Sequence, residues 1–203
     1  MHGLGNDYII VDNRDGKIRE GEMSGLAKRL CERRFSVGAD GLLLVHGSSV
    51  ADVRLRIFNS DGTEAEMCGN GIRCFAKYCY ENGVAKKEEL RIETLAGTKR
   101  TWLTVEGGKV KSVKVDMGSP VLERSRIPML GRGTCIDEEL KAGKEKFRVT
   151  CLSVGNPHCV IFVDDVMGFP VREVGSKIEN HRLFPNRVNV EFVQVLNLSL
   201  IHI

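Results

Sequence analysis

The pattern of apolar and polar positions divides the first 115 residues into short strands and two helices. Short apolar runs and two-residue alternation predict strands at 8–12, 42–45, 53–58, 90–94, 99–105 and 110–115. A helix is predicted over 22–34, with Leu26, Ala27 and Leu30 on its buried side. The first part of the chain is therefore expected to be rich in strands.

The second helix follows the polar loop 59–71 and is the element around which the first part is organised. Four apolar residues lie at i, i+3, i+4 and i+7 and so share one face: Ile72, Phe75, Ala76 and Cys79. Asn82 and Gly83 then form an acceptable helix end. We therefore predict a central helix over 70–83, surrounded by the strands.

A boundary follows at Gly118, Ser119 and Pro120, and it divides the chain into domains 1–116 and 117–203. The second part has predicted strands at 146–152, 159–163 and 188–195, and a helix that begins at 171 and ends near His181. No elements are assigned to the polar segment 125–146.

The second part repeats the order of the first. Gly5-Asn6 before a strand recurs as Gly155-Asn156 before a strand, at an offset of 150 residues, and a helix follows in both parts. We therefore expect an α+β fold of two similar, β-rich, barrel-like domains, each around a central helix and related by internal duplication. The same offset places the counterpart of Cys68 at about residue 218. The second domain is therefore expected to be incomplete, truncated before its own cysteine loop and central helix.

The composition is that of an ordinary folded protein, with 42% hydrophobic and 28% charged residues. A formal net charge of +3 without a long basic run gives no indication of nucleic-acid binding. No apolar stretch reaches the roughly 18 residues of a membrane span, and we expect no signal peptide. The seven cysteines then favour reduced thiols in the cytoplasm over a disulfide framework.

Cys68 is the candidate catalytic residue, because it lies just before the N-terminus of the predicted central helix. The helix dipole and the N–H groups of the first turn favour negative charge there, either a reactive thiolate or a bound carboxylate. The alternative is a small buried cysteine in a tight turn, as free cysteines often are. If the duplication supplies a second thiol across a cleft, the pair would serve as base and acid for inversion at a carbon next to a carboxylate.

Four segments together resemble the diaminopimelate epimerase family: HGLGNDY, FNSDGTEAEMCGNGIRC, SVGNPHCV and FPNRVNVEF. They occur in the family's order and cover essentially residues 2–195. The resemblance implies two similar β-rich domains with the active site between them. It also implies interconversion of LL- and meso-2,6-diaminopimelate without a cofactor, on the pathway to lysine and peptidoglycan precursors.

The resemblance further implies roles for individual residues. Cys68 is one of two catalytic thiols, and Gly69 and Asn70 contact the substrate carboxylate. His158 matches a histidine that lies close to the reacting groups. Four asparagines match substrate-binding positions: Asn6, Asn59, Asn156 and Asn189. An amide both donates and accepts hydrogen bonds, so it suits a substrate that carries carboxylate and ammonium groups.

The expected partners are the small-molecule substrate and, from the family, a second copy of the chain in a homodimer. No nucleic-acid or membrane partner is expected, and no cofactor. The spacing of Cys68 and Cys74 exceeds that of zinc ligands, and no second pair completes a site, so no metal is expected either.

The sequence departs from the family after residue 195. The expected Glu-Arg loop, Cys-Gly-Thr-Gly turn and second central helix do not occur, and the final LNLSLIHI matches no family segment. We therefore expect a fragment that lacks the second cysteine and is poorly soluble and almost inactive. Three alternatives stay open: a proline racemase-like isomerase, a binding protein that has lost a thiol, and a hydrolase that uses Cys68 with His158. The sequence assigns no orienting carboxylate to that histidine.

Overall fold

The computed structural model describes residues 1–197 and 200–202. The chain forms two compact units, Met1–Met117 and Gly118–Ile203. Each unit has its own sheet and its own hydrophobic core. In the described part of the chain, no helix is long and apolar enough to cross a membrane.

The first unit consists of a large sheet and two helices. Its strands are β1 (His2–Gly3), β2 (Asn6–Asp12), β3 (Gly41–His46), β4 (Val53–Asn59), β5 (Glu64–Ala65), β6 (Glu89–Thr94), β7 (Gly97–Glu106) and β8 (Lys109–Val115). Its helices are α1 (Glu20–Cys31) and α2 (Gly69–Glu81). The strand order is β1-β2-β3-β4-β6-β7-β8, and β5 pairs with β4.

Helix α2 lies in the middle of this unit because the sheet curls around it. The helix contacts both edge strands, β1 and β8, as well as β2, β4 and β7 between them. The predicted apolar face is confirmed, since four residues have 0% of their surface exposed: Ile72, Phe75, Ala76 and Cys79. Burying each large side chain of this kind contributes about 1.5–3 kcal/mol. The helix ends before its predicted limit, because Asn82 caps it and Gly83 has a φ of +70°.

Helix α1 packs against the opposite face of the same sheet. Alternate residues of β3 point to opposite faces, so Leu43 and Val45 lie in the core around α2. Leu42 and Leu44 lie in a separate core beneath α1. Both faces of β3 are therefore buried, which explains its continuous apolar sequence.

The predicted limits of α1 were wrong at both ends. The Glu22 carboxylate accepts a hydrogen bond of 2.9 Å from the N–H of Arg19, which starts the helix at Glu20. Glu32 has an extended backbone, with φ −63° and ψ 113°, and so ends the helix at Cys31.

The buried side of α1 also differs from the prediction. Met23, Ala27 and Cys31 are buried, and they follow one another at intervals of one helical turn. Of the predicted residues, Leu26 and Leu30 are only partly buried and lie at the margin of the same core. Compared with the predicted orientation, the helix is rotated slightly about its axis, so that Met23, Ala27 and Cys31 face the sheet.

The second unit contains a five-stranded sheet. Its strands are β9 (Glu138–Ala142), β10 (Glu145–Ser153), β11 (Pro157–Phe162), β12 (Asn189–Asn197) and β13 (Leu200–His202), in the order β13-β12-β11-β10-β9. Helix α3 (Val171–Glu179) packs against β12 and β9. Strand β9 lies in the segment to which the sequence analysis assigned no element. It buries only Leu140 and Ala142 among charged neighbours, which leaves a weak apolar pattern.

The two units share a β–α–β arrangement. In the first, β2 leads through α1 to the parallel strand β3; in the second, β11 leads through α3 to the parallel strand β12. The registers correspond as well, since Tyr8 pairs with Gly41 and His158 pairs with Asn189. The predicted duplication is therefore confirmed. In the described part of the second unit, α3 corresponds to α1, and no helix there corresponds to α2.

Candidate active site

Cys68 precedes the first turn of α2. Its backbone is extended, with φ −143° and ψ 116°, and its Sγ accepts a hydrogen bond of 3.4 Å from the N–H of Gly71. Gly71 lies against the thiol, since a Cβ there would be in van der Waals contact with Sγ of Cys68 at 3.6 Å. The seven cysteines all lie in the described part of the chain, and Cys68 is the one that is not buried. Cys68 is therefore partly exposed and lies at the positive end of a helix.

The other cysteines lie in the hydrophobic cores and are poorly suited to acid–base chemistry. Burial raises the pKa of Cys79 to about 12, and it likewise raises that of Cys135 to about 12. Cys74 shares α2 with Cys68, but burial raises the pKa of its thiol too. Thiols of this kind are protonated at neutral pH and are weak nucleophiles and bases.

Tyr8 on β2 contacts the thiol directly. Its Oη lies 2.9 Å from Sγ of Cys68, and the residue is buried beside Gly41. Burial above all, and then the contact with Cys68, raise the pKa of Tyr8 far above its usual value, so the hydroxyl keeps its proton. The sequence does not single out this residue, because an apolar strand gives no sign of which partner its one hydroxyl meets.

Asn6 and Asn70 are brought together beside Cys68 in one chain of hydrogen bonds. Arg73 donates to Oδ1 of Asn70, and Nδ2 of Asn70 donates to Oδ1 of Asn6 over 2.7 Å. Nδ2 of Asn6 donates in turn to Oδ2 of Asp40 over 3.3 Å. Because a guanidinium only donates and a carboxylate only accepts, the two charged ends fix the orientation of both amides. Each amide keeps one N–H and one oxygen lone pair for a ligand.

Asp40 is held in place by a second cluster. Arg33 donates to both carboxylate oxygens of Asp7, over 2.6 and 3.0 Å, and to Oδ1 of Asp40 over 2.9 Å. The backbone N–H of Asp7 and that of Asp40 each donate 3.0 Å hydrogen bonds to the other residue's carboxylate. The hydrogen bonds from Arg33 hold the pKa of Asp7 well below its usual range. The cluster fastens the loop that carries Asp40 to the start of β2.

Gly69 and Asn59 occupy the same end of the first unit without joining this chain of hydrogen bonds. A Cβ at Gly69 would come no closer than 3.8 Å to Arg73, so the first turn of α2 is sparsely covered. Asn59 ends β4 in the row Tyr8–Gly41–Asn59 across the sheet. Its Nδ2 donates to Oγ1 of Thr63 over 3.0 Å, so in this structure it holds its own turn.

His158 and Asn156 of the second unit lie in contact with each other and with Glu191. Nδ1 of His158 is 2.6 Å from Oε1 of Glu191, and its Nε2 is 2.9 Å from Oδ1 of Asn156. Asn189 lies opposite His158 in the strand register and donates from Nδ2 to the carbonyl of Pro157 over 2.9 Å. The second carboxylate oxygen of Glu191 is buried, with no hydrogen-bond partner among the described residues.

Glu191 supplies the orienting carboxylate that the sequence did not assign to His158. It stands two residues after Asn189 on β12, so both side chains point to one face of the sheet. Val160, two residues after His158, pairs with Glu191 in the parallel register. The signal was thus the two-residue spacing in the sequence, but its meaning depends on the pairing of β11 with β12.

A surface groove of about 550 Å³ borders Asn189 and Glu191 on the side of α3. Charged side chains of both signs line it, including Arg172 and Glu179. None of the described residues belongs to a cluster of three or more histidine, cysteine, aspartate or glutamate side chains that could hold a metal ion.

Comparison with known proteins assigns this chain to a family. The family model for diaminopimelate epimerase matches residues 1–123 and 150–203. The chain belongs to the diaminopimelate epimerase family. It is 58% identical over 198 residues to the diaminopimelate epimerase of Moorella thermoacetica, which covers 97% of this chain and 71% of that protein. It is 55% identical over 196 residues to the diaminopimelate epimerase of Pelotomaculum thermopropionicum, covering 96% and 70%.

Solved structures share the fold at low sequence identity. A hydroxyproline epimerase from Agrobacterium vitis is 17% identical, with a TM-score of 0.61 over 88% of this chain and 52% of that one. A Bacillus anthracis phenazine biosynthesis protein of the PhzF family is 21% identical, with a TM-score of 0.59 over 100% and 66%. These likenesses concern the fold alone, and they support the predicted β-rich epimerase architecture for this member of the diaminopimelate epimerase family.

Proposed function

We propose that this chain binds LL- and meso-2,6-diaminopimelate and serves their interconversion by proton transfer at the α-carbon, a step in lysine biosynthesis. The observation that carries the proposal is the position of Cys68, a partly exposed cysteine at the N-terminus of the central helix and beside the Asn6–Asn70 pair. Membership of the diaminopimelate epimerase family supports the choice of substrate.

The N-terminus of α2 suits the carboxylate next to the reacting carbon. The N–H groups of Gly69 and Asn70 lie in the first turn, where they have no helical acceptor, and the helix dipole adds partial positive charge. Loss of the α-proton moves negative charge into that carboxylate. Donors at this position therefore stabilise the transition state more than the ground state.

The amides are proposed to bind the remaining polar groups of the substrate. Asn6 and Asn70 each retain a donor and an acceptor within their fixed chain of hydrogen bonds. A neutral amide recognises ammonium and carboxylate groups without adding charge of its own. By the family resemblance, Asn59 in the first unit and Asn156 and Asn189 in the second serve in the same way.

Cys68 acts as one of two acid–base groups. As a thiolate, its Sγ takes the proton of the α-carbon, and the electrons of the broken C–H bond move into the carboxylate. A second acid then delivers a proton to the opposite face of the carbon, which inverts it; in the other direction the thiol of Cys68 returns its proton. The family resemblance indicates another cysteine as the second group, and we assign it to no residue of the described chain.

The family resemblance gives His158 a role in the reaction, and within the second unit Glu191 and Asn156 lie at hydrogen-bond distance from its two ring nitrogens. The reaction is proposed to need no cofactor and to take place in the cytoplasm, with the chain as part of a homodimer. The lack of a cofactor and the homodimer rest on the family resemblance, and the cytoplasmic location rests on the reduced thiols that the sequence favours.

Deuterium uptake at the α-carbon tests the proposal. The protein is incubated in heavy water with LL- and, separately, with meso-diaminopimelate, and the α-proton signal is followed by NMR. Both stereoisomers are used because a single thiol can remove the α-proton from only one face of the carbon. We expect exchange that is abolished in Cys68→Ala and kept in Cys74→Ala, a buried cysteine of the same helix. Exchange that survives in Cys68→Ala, or exchange of proline in place of diaminopimelate, would overturn the proposal. Binding of diaminopimelate without any exchange would instead favour a binding protein.

A further inference from the structure

Tyr8 is a residue of the site whose chemistry the proposed function leaves unused. Its Oη lies 2.9 Å from Sγ of Cys68, although 60 positions separate the two residues in the sequence, so the fold creates the contact. Two hydrogen-bonding groups thus reach the thiol from different elements. The N–H of Gly71 comes from α2 at 3.4 Å, and the hydroxyl of Tyr8 comes from β2.

The sheet fixes the position of this hydroxyl. Tyr8 pairs with Gly41 of β3, and a Cβ at Gly41 would lie 3.5 and 3.6 Å from two carbons of the tyrosine ring. It would also lie 2.9 Å from the carbonyl oxygen of Phe58, so this strand position has no room for a side chain. The ring occupies the space beside the glycine, with 7% of the residue exposed. A buried ring has few alternative rotamers, so its hydroxyl is pre-organised.

The hydroxyl is the donor whenever Cys68 is a thiolate. Tyr8 stays protonated because burial raises its pKa far above the usual value, and a sulfur anion can only accept. Other ionisable groups surround the pair. The charges of Cys74 on α2 and Asp40 before β3 add to the rise in the pKa of Tyr8. The charges of Arg73 and of the amino group of Met1 favour a lower pKa of Cys74. The Asp40 carboxylate disfavours ionisation of Tyr8, which keeps the hydroxyl available as a donor.

We propose that Tyr8 is a positioning residue for the acid–base chemistry of Cys68: its hydroxyl donates a hydrogen bond to Sγ, which stabilises the thiolate and holds the sulfur in one orientation. The inference rests on the role proposed for Cys68. During the reaction Tyr8 keeps its own proton. The proton that moves passes from the α-carbon to Sγ, and the hydrogen bond from Tyr8 weakens as the sulfur loses its charge.

The pH dependence of Cys68 alkylation tests this role without any substrate. Wild-type protein and Tyr8→Phe are treated with iodoacetamide across a range of pH, and modification of Cys68 is measured by peptide mass spectrometry. We expect the pH of half-maximal rate to rise by about 1 unit in Tyr8→Phe, because a hydrogen bond to a charged acceptor is lost. Tyr80→Phe, which alters a tyrosine of α2 packed against the same core, is the matched control and should leave the profile unchanged.

Identical profiles for wild-type protein and Tyr8→Phe would overturn the inference. Since no diaminopimelate is present, this result does not depend on whether the protein is an epimerase. A second measurement avoids removing the hydroxyl. In a Tyr78→Phe and Tyr80→Phe background, Tyr8 is the last of the three tyrosines and can be replaced by 3-fluorotyrosine. The more acidic phenol is a stronger donor and should lower the pH of half-maximal alkylation; an unchanged value would contradict the proposal.

Discussion

Asn6 on β2 and Asn70 on α2 are joined by a hydrogen bond of 2.7 Å between their side-chain amides. This bond links the sheet to the N-terminus of the central helix at the point where Cys68 lies. Arg73 at one end and Asp40 at the other orient the two amides, so neither amide can flip without losing a charge-assisted hydrogen bond. The pair is therefore a pre-organised part of the proposed substrate site.

Replacing Asn6 by aspartate tests this orientation. Asn6→Asp places a carboxylate against that of Asp40, across the 3.3 Å now bridged by an N–H donor. We expect diaminopimelate to bind about tenfold more weakly, because the like charges separate and the amide pair loses its geometry. Isothermal titration calorimetry measures the change. Asn180→Asp, at the C-terminal end of α3, is the control, and equal weakening in both variants would contradict the account.

The ion pairs of Arg33 with Asp7 and Asp40 should make the stability of the protein depend on pH in the acid range. Arg33 lowers the pKa of Asp7 below its ordinary value of 3.8, so the ionised carboxylate stabilises the folded state above that pH and the stabilisation is lost as the pH falls. In Arg33→Ala the pKa returns toward its ordinary value. The variant should then lose less stability than wild-type protein between about pH 5 and pH 3. Urea unfolding at both pH values measures the difference, with Arg29→Ala on the exposed side of α1 as control; equal losses in Arg33→Ala and wild-type protein would refute the prediction.

Gly71→Ala is expected to affect the alkylation rate of Cys68 more than the stability of the protein. Alanine is favoured over glycine within a helix by up to about 1 kcal/mol, but the new Cβ at position 71 would lie 3.4 Å from Leu43 and 3.6 Å from Sγ of Cys68. We expect Gly71→Ala to change the free energy of unfolding by less than about 1 kcal/mol and to slow alkylation of Cys68 several-fold. Gly25→Ala in α1 meets no atom within 4 Å and should leave alkylation unaltered. An unchanged alkylation rate in Gly71→Ala would contradict the prediction and show that iodoacetamide does not approach Sγ from the side of Gly71.

Substitutions of Phe75 test how much the packing of the central helix contributes to the stability of the first unit. The residue is fully buried between α2 and the curled sheet, so Phe75→Ala should destabilise the protein by about 3–5 kcal/mol. Phe75→Leu keeps most of the volume and should cost less than about 2 kcal/mol. Leu95→Ala, at a position that is 51% exposed, is the control. Urea unfolding gives all three values, and a loss below about 1 kcal/mol in Phe75→Ala would contradict the central role of α2.

The sequence predicts most of the fold, because hydrophobic periodicity is strong where elements are buried. The apolar face of α2 and the continuous apolar run of β3 both follow from burial on the inner surfaces of the first unit. Strand β9 escapes such a prediction, since only two of its residues, Leu140 and Ala142, reach the core. The start of α1 depends on the hydrogen bond from the N–H of Arg19 to the carboxylate of Glu22, which hydrophobic periodicity does not reveal.

The site is only partly readable from the sequence. Cys68 stands out because its position before a helix has a direct electrostatic meaning, and the structure places Asn6 and Asn70 next to it. Tyr8 has no local signal, and the two-residue spacing of Asn189 and Glu191 gains its meaning only from strand pairing. That pairing creates the contacts of Tyr8 with Cys68 and of Glu191 with His158. To predict which functional groups meet within a sheet, one therefore has to know the pairing register of the strands as well as their positions in the sequence.

The central claim is that the substrate binds against Cys68, and protection from alkylation tests it most directly. The rate of iodoacetamide modification at Cys68 is measured by peptide mass spectrometry with and without diaminopimelate, and with lysine as a comparison compound that lacks the second carboxylate. At a diaminopimelate concentration about ten times its Kd, we predict that modification of Cys68 slows about tenfold, because the free site falls to about a tenth. An unchanged rate at a concentration that calorimetry shows to be saturating would place the ligand elsewhere and contradict the account.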